Sequence, residues 1–448
     1  MRDPRGSICV AEDHIVRELR DALPMDDFLR QPIARELVRD GLLVEFDLRD
    51  DQHVVSPRIA WVSQPSEWCR AQLIDAAVLT LDIADRALPA GFELKDASAW
   101  NVLFDGSAPL FCDHLSFTRI MRREWRALGQ FARHFILPLL VAGRSGLPVH
   151  AQFRMYRDGI TPQLARKLCG WRMLFSRAAP LLLAANADHS RASRPPQEPS
   201  GSTSRTLHGN LLRYCRSSLP SAARSEARQG TRASWTGYVQ ERDHYPGGSL
   251  ALKTQQVREW IQRENPAWVL DLGANTGEFS LLAADHGARV IAVDADHECI
   301  ERLYLTARAH PVHARAIHPV VAQLDDLCAG RGWGGRESPG ILARLSGHCD
   351  LVMMLGLLHH LMIACAIPVA EIAAFAAGLA RRAIIIETIP ESDPMFGMLA
   401  EQYDRADGAR ACGEAVQLAA FKRYFEVVDL RPLAESGRTL FLLRKKTG

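Results

Sequence analysis

The residues with the clearest chemical meaning lie in VLDLGANTG, Val269 to Gly277. An apolar run reaches Asp271, Gly273 and Gly277 follow four residues apart, and a new apolar pattern begins at about Glu278. The reading is a strand, a tight turn and a helix, the arrangement that holds nucleotides at the carboxyl end of a strand. Glycines there let a backbone approach a ligand where a Cβ would clash. The free N–H groups of the helix start face the same place. Asp294 closes the next apolar run, RVIAVD, 21 residues after Gly273. A carboxylate at that position accepts both hydroxyls of an adenosine ribose. QLDDL follows the third run, and Asp325 or Asp326 can reach an adenine amino group.

Two further groups face the same strand ends. DLVMMLGLLHHL carries His359 and His360 just past the fourth run. They are candidates for a general base that takes a proton from a hydroxyl or amine. The plainer alternative packs one histidine into the top of the sheet and bonds the other to a backbone carbonyl. Glu387 ends the fifth run in IIIETIPESDPM, where it orients a substrate or caps the next helix.

A glycine turn is shared by nicotinamide enzymes, so the turn alone does not choose the ligand. Three features favour S-adenosylmethionine. Asp271 opens the turn with negative charge, which suits a cationic amino-acid end and repels a pyrophosphate. The histidine pair stands beside the place of a methyl donor. YFEVVDL and RTLFLLRK, joined by RPLAESG, form a terminal antiparallel hairpin foreign to a plain dinucleotide fold.

With these motifs in hand, residues 268–444 resemble a class I S-adenosylmethionine-dependent methyltransferase. VLDLGANTG stands as the first motif, VDAD as the acidic end of the second strand and DLVMMLGLLHHL as the fourth motif. Asn275 occupies a position where many members carry glycine. The resemblance implies that Asp271, Gly273, Asn275, Gly277, Asp294 and Asp325 bind the cofactor. It implies transfer of the methyl group to an oxygen or nitrogen nucleophile, with His359, His360 and Glu387 as the catalytic candidates. Two alternatives stay open: a non-catalytic protein that binds the same cofactor, and a nicotinamide-dependent oxidoreductase.

A second pattern lies upstream, in LKDASAWNVLFDGSAPLFCDHLSF. Asp96, Asn101 and Asp113 resemble the catalytic loop and metal-binding strand of protein-kinase-like phosphotransferases. In that resemblance the first Asp positions a hydroxyl, and the Asn and second Asp hold magnesium. Leu94 stands where the family carries histidine, HL follows Asp113 in place of FG, and no lysine precedes Lys95. A degenerate lobe without phosphotransfer is the expectation; the rival is an ordinary hairpin turned at Asp105-Gly106. The helix before it, AQLIDAAVLTLDIADRAL, reads as amphipathic. WVSQPSEW, LKDASAWN and the C-terminal half together resemble a bacterial methyltransferase family to which some rhizobial nodulation proteins are similar. That suggests a small-molecule or glycan acceptor.

These sites need elements to hold them. WVLDL, RVIAVD, IHPVVA, DLVMML and RAIIIE alternate with helical patterns, which predicts a parallel sheet covered on both faces. The expected fold is α/β: a Rossmann-like methyltransferase domain with a mostly parallel seven-stranded sheet, plus an α+β kinase-like domain. The expected limits are 1–150 for the kinase-like domain and 151–245 for a helical connector holding a flexible linker at 190–206. The methyltransferase domain is expected at 246–448. GRGWGG, Gly330 to Gly335, is a mobile lid or a surface loop.

Composition narrows the partners. Net charge is +2 over 448 residues, and no basic aromatic stripe stands out, so nucleic acid is not expected. Six lysines against 48 arginines reflect genome composition. Ten scattered cysteines form no C-x-x-C pair, so reduced thiols and no metal site are expected. MRDPRGSICVAEDH lacks the apolar core of a secretory signal, and the longest apolar runs are too short to span a bilayer. The expected location is cytoplasmic.

Overall fold

The computed structural model describes residues 6–187, 201–220, 249–403, 413–433 and 436–446. The chain divides into two compact units, residues 1–231 and 232–448.

The first unit is α+β. Strands β1 (Gly6–Val10), β2 (His14–Leu19), β3 (Asp47–Leu48) and β4 (His53–Pro57) form an antiparallel sheet in the order β1-β2-β4-β3. The helix Pro32–Arg39, started by proline at its first position, lies between β2 and β3 in sequence. The helix Arg70–Ala87 buries 13 of its 18 residues, so it is a core helix and not the amphipathic one expected. Two of its buried polar residues are satisfied locally. Gln72 Oε1 accepts from Cys69 N–H at 2.9 Å, and Thr80 Oγ1 donates to the Ala76 carbonyl at 2.8 Å. Short strands β5 (Phe92–Leu94), β6 (Val102–Asp105), β7 (Ala108–Phe111) and β8 (Phe117–Arg119) follow. β6 and β7 are the hairpin read at Asp105-Gly106, with Gly106 at φ +67°.

Helices after residue 136 belong to this same unit. Gln152 donates to the Pro138 and Leu147 carbonyls from a buried position, and Trp100 Nε1 donates to the Arg157 carbonyl at 2.9 Å. The polar stretch read as a linker over 190–206 ends differently: its last six residues begin the helix Gly201–Ser218. Residues 190–200, and most of the Arg/Ser-rich stretch after Leu219, lie outside the described residues.

The second unit is a seven-stranded sheet. β9 (Trp268–Leu272), β10 (Arg289–Asp294), β11 (Ile317–Val321), β12 (Cys349–Met354) and β13 (Ala380–Thr388) pair in parallel in the order β11-β10-β9-β12-β13. β14 (Phe425–Leu433) and β15 (Arg438–Lys445) form the closing hairpin, with β15 antiparallel to β13 and β14 at the edge. All five residues of β11 and four of five in β9 are buried, as unbroken apolar runs require in a sheet covered on both faces. β14 is largely exposed and tolerates Pro432, which an edge strand allows. This is the Rossmann-like architecture expected from the sequence, a mostly parallel seven-stranded sheet closed by an antiparallel terminal hairpin.

Candidate functional site

The turn after β9 is fixed to its neighbour. The N–H groups of Gly273 and Ala274 both bond the Val293 carbonyl, at 2.9 and 3.1 Å. Gly273, Asn275 and Gly277 have φ of +72°, +50° and +84°. Asn275 holds this conformation with its side chain: Oδ1 accepts from Thr276 N–H at 2.7 Å. The glycines answer to packing as well as to a ligand. A Cβ on Gly277 would lie 2.2 Å from Leu303 Cδ1, and one on Gly273 would lie 3.1 Å from Leu357 Cδ1. Gly277 starts the helix Glu278–Asp285, and no side chain caps that helix.

Asp271 and Asp294 end up close together because β9 and β10 pair in parallel, with Ala292 opposite Asp271. Asp271 is buried, and its Oδ2 accepts from Ser280 Oγ at 2.6 Å. Burial pushes its carboxyl up to about 6, the Ser280 bond works against that rise, and the Asp294 charge adds to it. Asp294 accepts from Asn275 N–H at 2.7 Å on Oδ2 and from Asp296 N–H at 2.8 Å on Oδ1. Burial raises this carboxyl too. The carboxylate is thus fixed by backbone N–H groups and keeps lone-pair capacity for a hydroxyl donor. Asp325 and Asp326 are exposed on the turn after β11, and no hydrogen bond ties Asp325 to Asp294. Trp333 is 78% exposed on the glycine-rich loop, where Arg331 bridges Ser338.

The two histidines differ. His359 is fully buried, and neither ring nitrogen has a hydrogen-bond partner among the described residues. His360 is half-buried, with ring centroids 4.0 Å apart between the two. Burial holds His359 well below the ordinary imidazole range, and the His360, Arg438 and Lys253 charges add to this. Burial takes His360 down to about 4, with Arg438 contributing. Both rings are therefore neutral at neutral pH.

Glu387 is fully buried between two cations that sequence reasoning did not single out. Lys253 Nζ donates to its Oε2 at 2.6 Å, and Arg438 Nη1 to its Oε1 at 3.5 Å. Arg438 also grips Asp393 through Nε and Nη2, at 2.6 and 3.1 Å. Asp393 caps the helix Pro394–Gln402 through Met395 N–H. The helix cap read for Glu387 thus falls to Asp393, whose D-P-M sequence is the one legible signal in this quartet. Lys253 and Glu387 lie 134 residues apart, which leaves no local pattern to read.

The upstream acids also come together. Asn101 Nδ2 donates to Asp96 Oδ1 at 2.9 Å and to Ser116 Oγ at 3.1 Å. Ser116 Oγ donates to Asp113 Oδ2 at 2.5 Å, and Arg17 Nη1 donates to Asp113 Oδ1 at 2.9 Å. Burial raises the Asp96 carboxyl. Among the described residues no group of three or more His, Cys, Asp or Glu has the geometry of a metal site.

Comparison with known proteins bears on the second unit first. Residues 243–434 match a family described as a methyltransferase domain. The whole chain is similar to nodulation protein NoeA of Rhizobium meliloti strain 1021, 29% identical over 99% of this chain and 95% of that protein. Among solved structures, monomeric WbdD is 22% identical over 44% of this chain and 41% of its own, with a TM-score of 0.31. The N-methyltransferase NodS of Bradyrhizobium japonicum WM9 is 10% identical over 45% of this chain and 99% of its own, with a TM-score of 0.33. This chain therefore spans about two fifths of the WbdD chain. The likeness to a methyltransferase domain thus falls on the C-terminal unit.

Proposed function

We propose that the C-terminal unit transfers a methyl group from S-adenosylmethionine to an oxygen or nitrogen nucleophile of a small molecule or glycan. One observation carries this reading: two desolvated carboxylates, Asp271 and Asp294, meet at adjacent strand ends beside a left-handed glycine turn. A carboxyl pushed up to about 6 marks a site short of positive charge. The ammonium and sulfonium of S-adenosylmethionine supply that charge, whereas a pyrophosphate would add to the repulsion. Asp294 has the spare lone pairs that ribose hydroxyls need. Asp325 is the adenine-side candidate by its place after β11.

When bound, the cofactor supplies an electrophilic methyl carbon on sulfur. The chain's own work is alignment and exclusion of water. His360 is the better base of the pair, because it is the less buried and is neutral, with a lone pair ready for a proton. A base at about 4 cannot keep that proton at neutral pH, so it hands it on to solvent. Glu387 has both oxygens engaged and acts as a positioning residue, through the two cations whose charges reach the histidines. In the N-terminal unit, the guanidinium of Arg17 occupies the acid that a kinase-like site would give to magnesium, which fits a lobe without phosphotransfer.

The test is calorimetric titration of the full chain with S-adenosylhomocysteine, with NAD as control and Asp294→Ala alongside. Micromolar binding that the variant loses supports the reading. Binding of NAD and none of S-adenosylhomocysteine by the folded protein would overturn it.

A further inference from the structure

The N-terminal unit carries a cationic, aromatic surface that the methyltransferase reading does not use. Between Arg144 and Arg177 the sequence holds seven Arg or Lys and one acid, Asp158. That is a net +6 in a chain whose total is +2. Averaged over the whole chain, the asymmetry vanishes.

The same stretch exposes large apolar side chains. The helix Pro162–Cys169 ends in Arg166, Lys167 and Leu168, all exposed, with Leu168 at 39%. Gly170 turns the chain at φ +69°, and the short helix Trp171–Phe175 follows. Trp171 is 66% exposed and Phe175 is 80% exposed. Their rings meet edge to face, with centroids 5.6 Å apart and planes at 83°. This turn is anchored from behind. Met173 is buried, Ser176 Oγ donates to its carbonyl at 2.7 Å, and Tyr214 of the helix Gly201–Ser218 donates to the Arg177 carbonyl. Arg144 lies within electrostatic reach of Cys169. Neither Arg144, Arg166 nor Lys167 forms an ion pair among the described residues.

We propose that this surface docks the protein on an anionic lipid bilayer. Lys and Arg snorkel to lipid phosphates while Trp, Phe and Leu enter the boundary between headgroups and acyl chains. A membrane interface rewards both halves of the patch together. A single-stranded nucleic acid fits it less well. Bases need open ring faces to stack on, and the edge-to-face pair covers one of them. Leu168 offers a base nothing. Among the described residues no helix is long and apolar enough to cross a membrane, so the contact is peripheral.

The experiment is co-sedimentation of the full chain with vesicles of phosphatidylcholine alone and of phosphatidylcholine mixed with phosphatidylglycerol. The expected result is binding to the mixed vesicles only, released by high salt. Arg166→Gln with Lys167→Gln weakens it about 30-fold, at the strength expected for two cations near a charged surface. Trp171→Ser with Phe175→Ser abolishes it. These side chains are exposed, so the variants keep their circular dichroism and their melting profile. No binding to mixed vesicles, equal binding to neutral ones, wild-type binding by the variants, or tighter binding to single-stranded RNA would each overturn the proposal.

Discussion

Replacing Asp271 by Asn should make the C-terminal unit more stable and its cofactor site weaker. Burial lifts this carboxyl from 3.8 to about 6, roughly two pH units, and each unit corresponds to about 1.4 kcal/mol. The charged form therefore costs the apo fold about 3 kcal/mol at pH 8. The sign follows from linkage. The folded pKa is raised, so the folded state keeps the proton to higher pH. The penalty is absent below about pH 4, grows through the window from about 4 to 6, and is complete above it. Asn stays neutral throughout and escapes it. Its advantage should be about 3 kcal/mol at pH 8 and about half that at pH 5. For a unit of this size that means a melting shift of about 6–10 °C at pH 8. Ser280 Oγ can still donate to the Asn carbonyl oxygen, so the local bond survives.

Ligand reverses the order. The variant no longer presents a negative charge to an ammonium, so S-adenosylhomocysteine should bind about 10- to 100-fold more weakly. Saturating ligand then lifts the melting temperature of wild type more than that of the variant. Scanning calorimetry at pH 5 and pH 8, with and without ligand, reads all of this. A stabilisation equal at both pH values, or a variant that melts lower at pH 8, would refute the desolvation argument.

Asp294→Ala removes the acceptor of two backbone N–H groups and, in the proposed site, of the ribose, and titration should show about 100-fold weaker S-adenosylhomocysteine binding. Gly277→Ala places a Cβ 2.2 Å from Leu303 at φ +84° and should cost about 2–4 kcal/mol in denaturant unfolding. Gly378→Ala, in the helix Val369–Leu379 with open space at its Cβ, should gain about 0.5–1 kcal/mol in the same assay. Lys253→Met leaves buried Glu387 with one distant cation and should cost about 3–5 kcal/mol, much of it recovered in Lys253→Met with Glu387→Gln. Magnesium-ATP should leave the melting of the N-terminal unit unchanged, because Arg17 and Ser116 already hold both Asp113 oxygens. A rise that Asp113→Ala abolishes would restore the phosphotransferase reading.

The sheet was legible because unbroken apolar runs in WVLDL, RVIAVD and IIIET are what a doubly covered parallel sheet demands, and the runs match β9, β10 and β13 closely. The turn was legible because left-handed backbone selects Gly and Asn, and Gly273, Asn275 and Gly277 all have positive φ. The sequence did not reveal why Gly277 must lack a side chain. Leu303 fills that space from another helix, 26 residues on. The core helix Arg70–Ala87 was misread for a similar reason. Two of its buried polar residues, Gln72 and Thr80, bond within their own turns, so their presence does not mark a wet face. Arg17 carries no local signal, because it lies 96 residues from Asp113 and meets it only through the fold.

The buried quartet of Lys253, Glu387, Arg438 and Asp393 explains why three catalytic candidates do not play equal parts. Two cations and two carboxylates pair among themselves, so the cluster is close to neutral and both Glu387 oxygens are committed. Its field is not neutral at every point. Arg438 and Lys253 both push the His359 ring further below its ordinary range, and Arg438 does the same to His360. A protonated imidazole is thus disfavoured at this end of the sheet, which keeps the ring neutral and weakens it as a base. Glu387→Gln would free the two cations of one partner and deepen that effect. Its activity should fall while its S-adenosylhomocysteine affinity holds, and the acid limb of the rate profile should move to lower pH. A residue that touched the acceptor directly would change the acceptor's KM instead. An unmoved profile with a raised KM would return Glu387 to the substrate's side of the site.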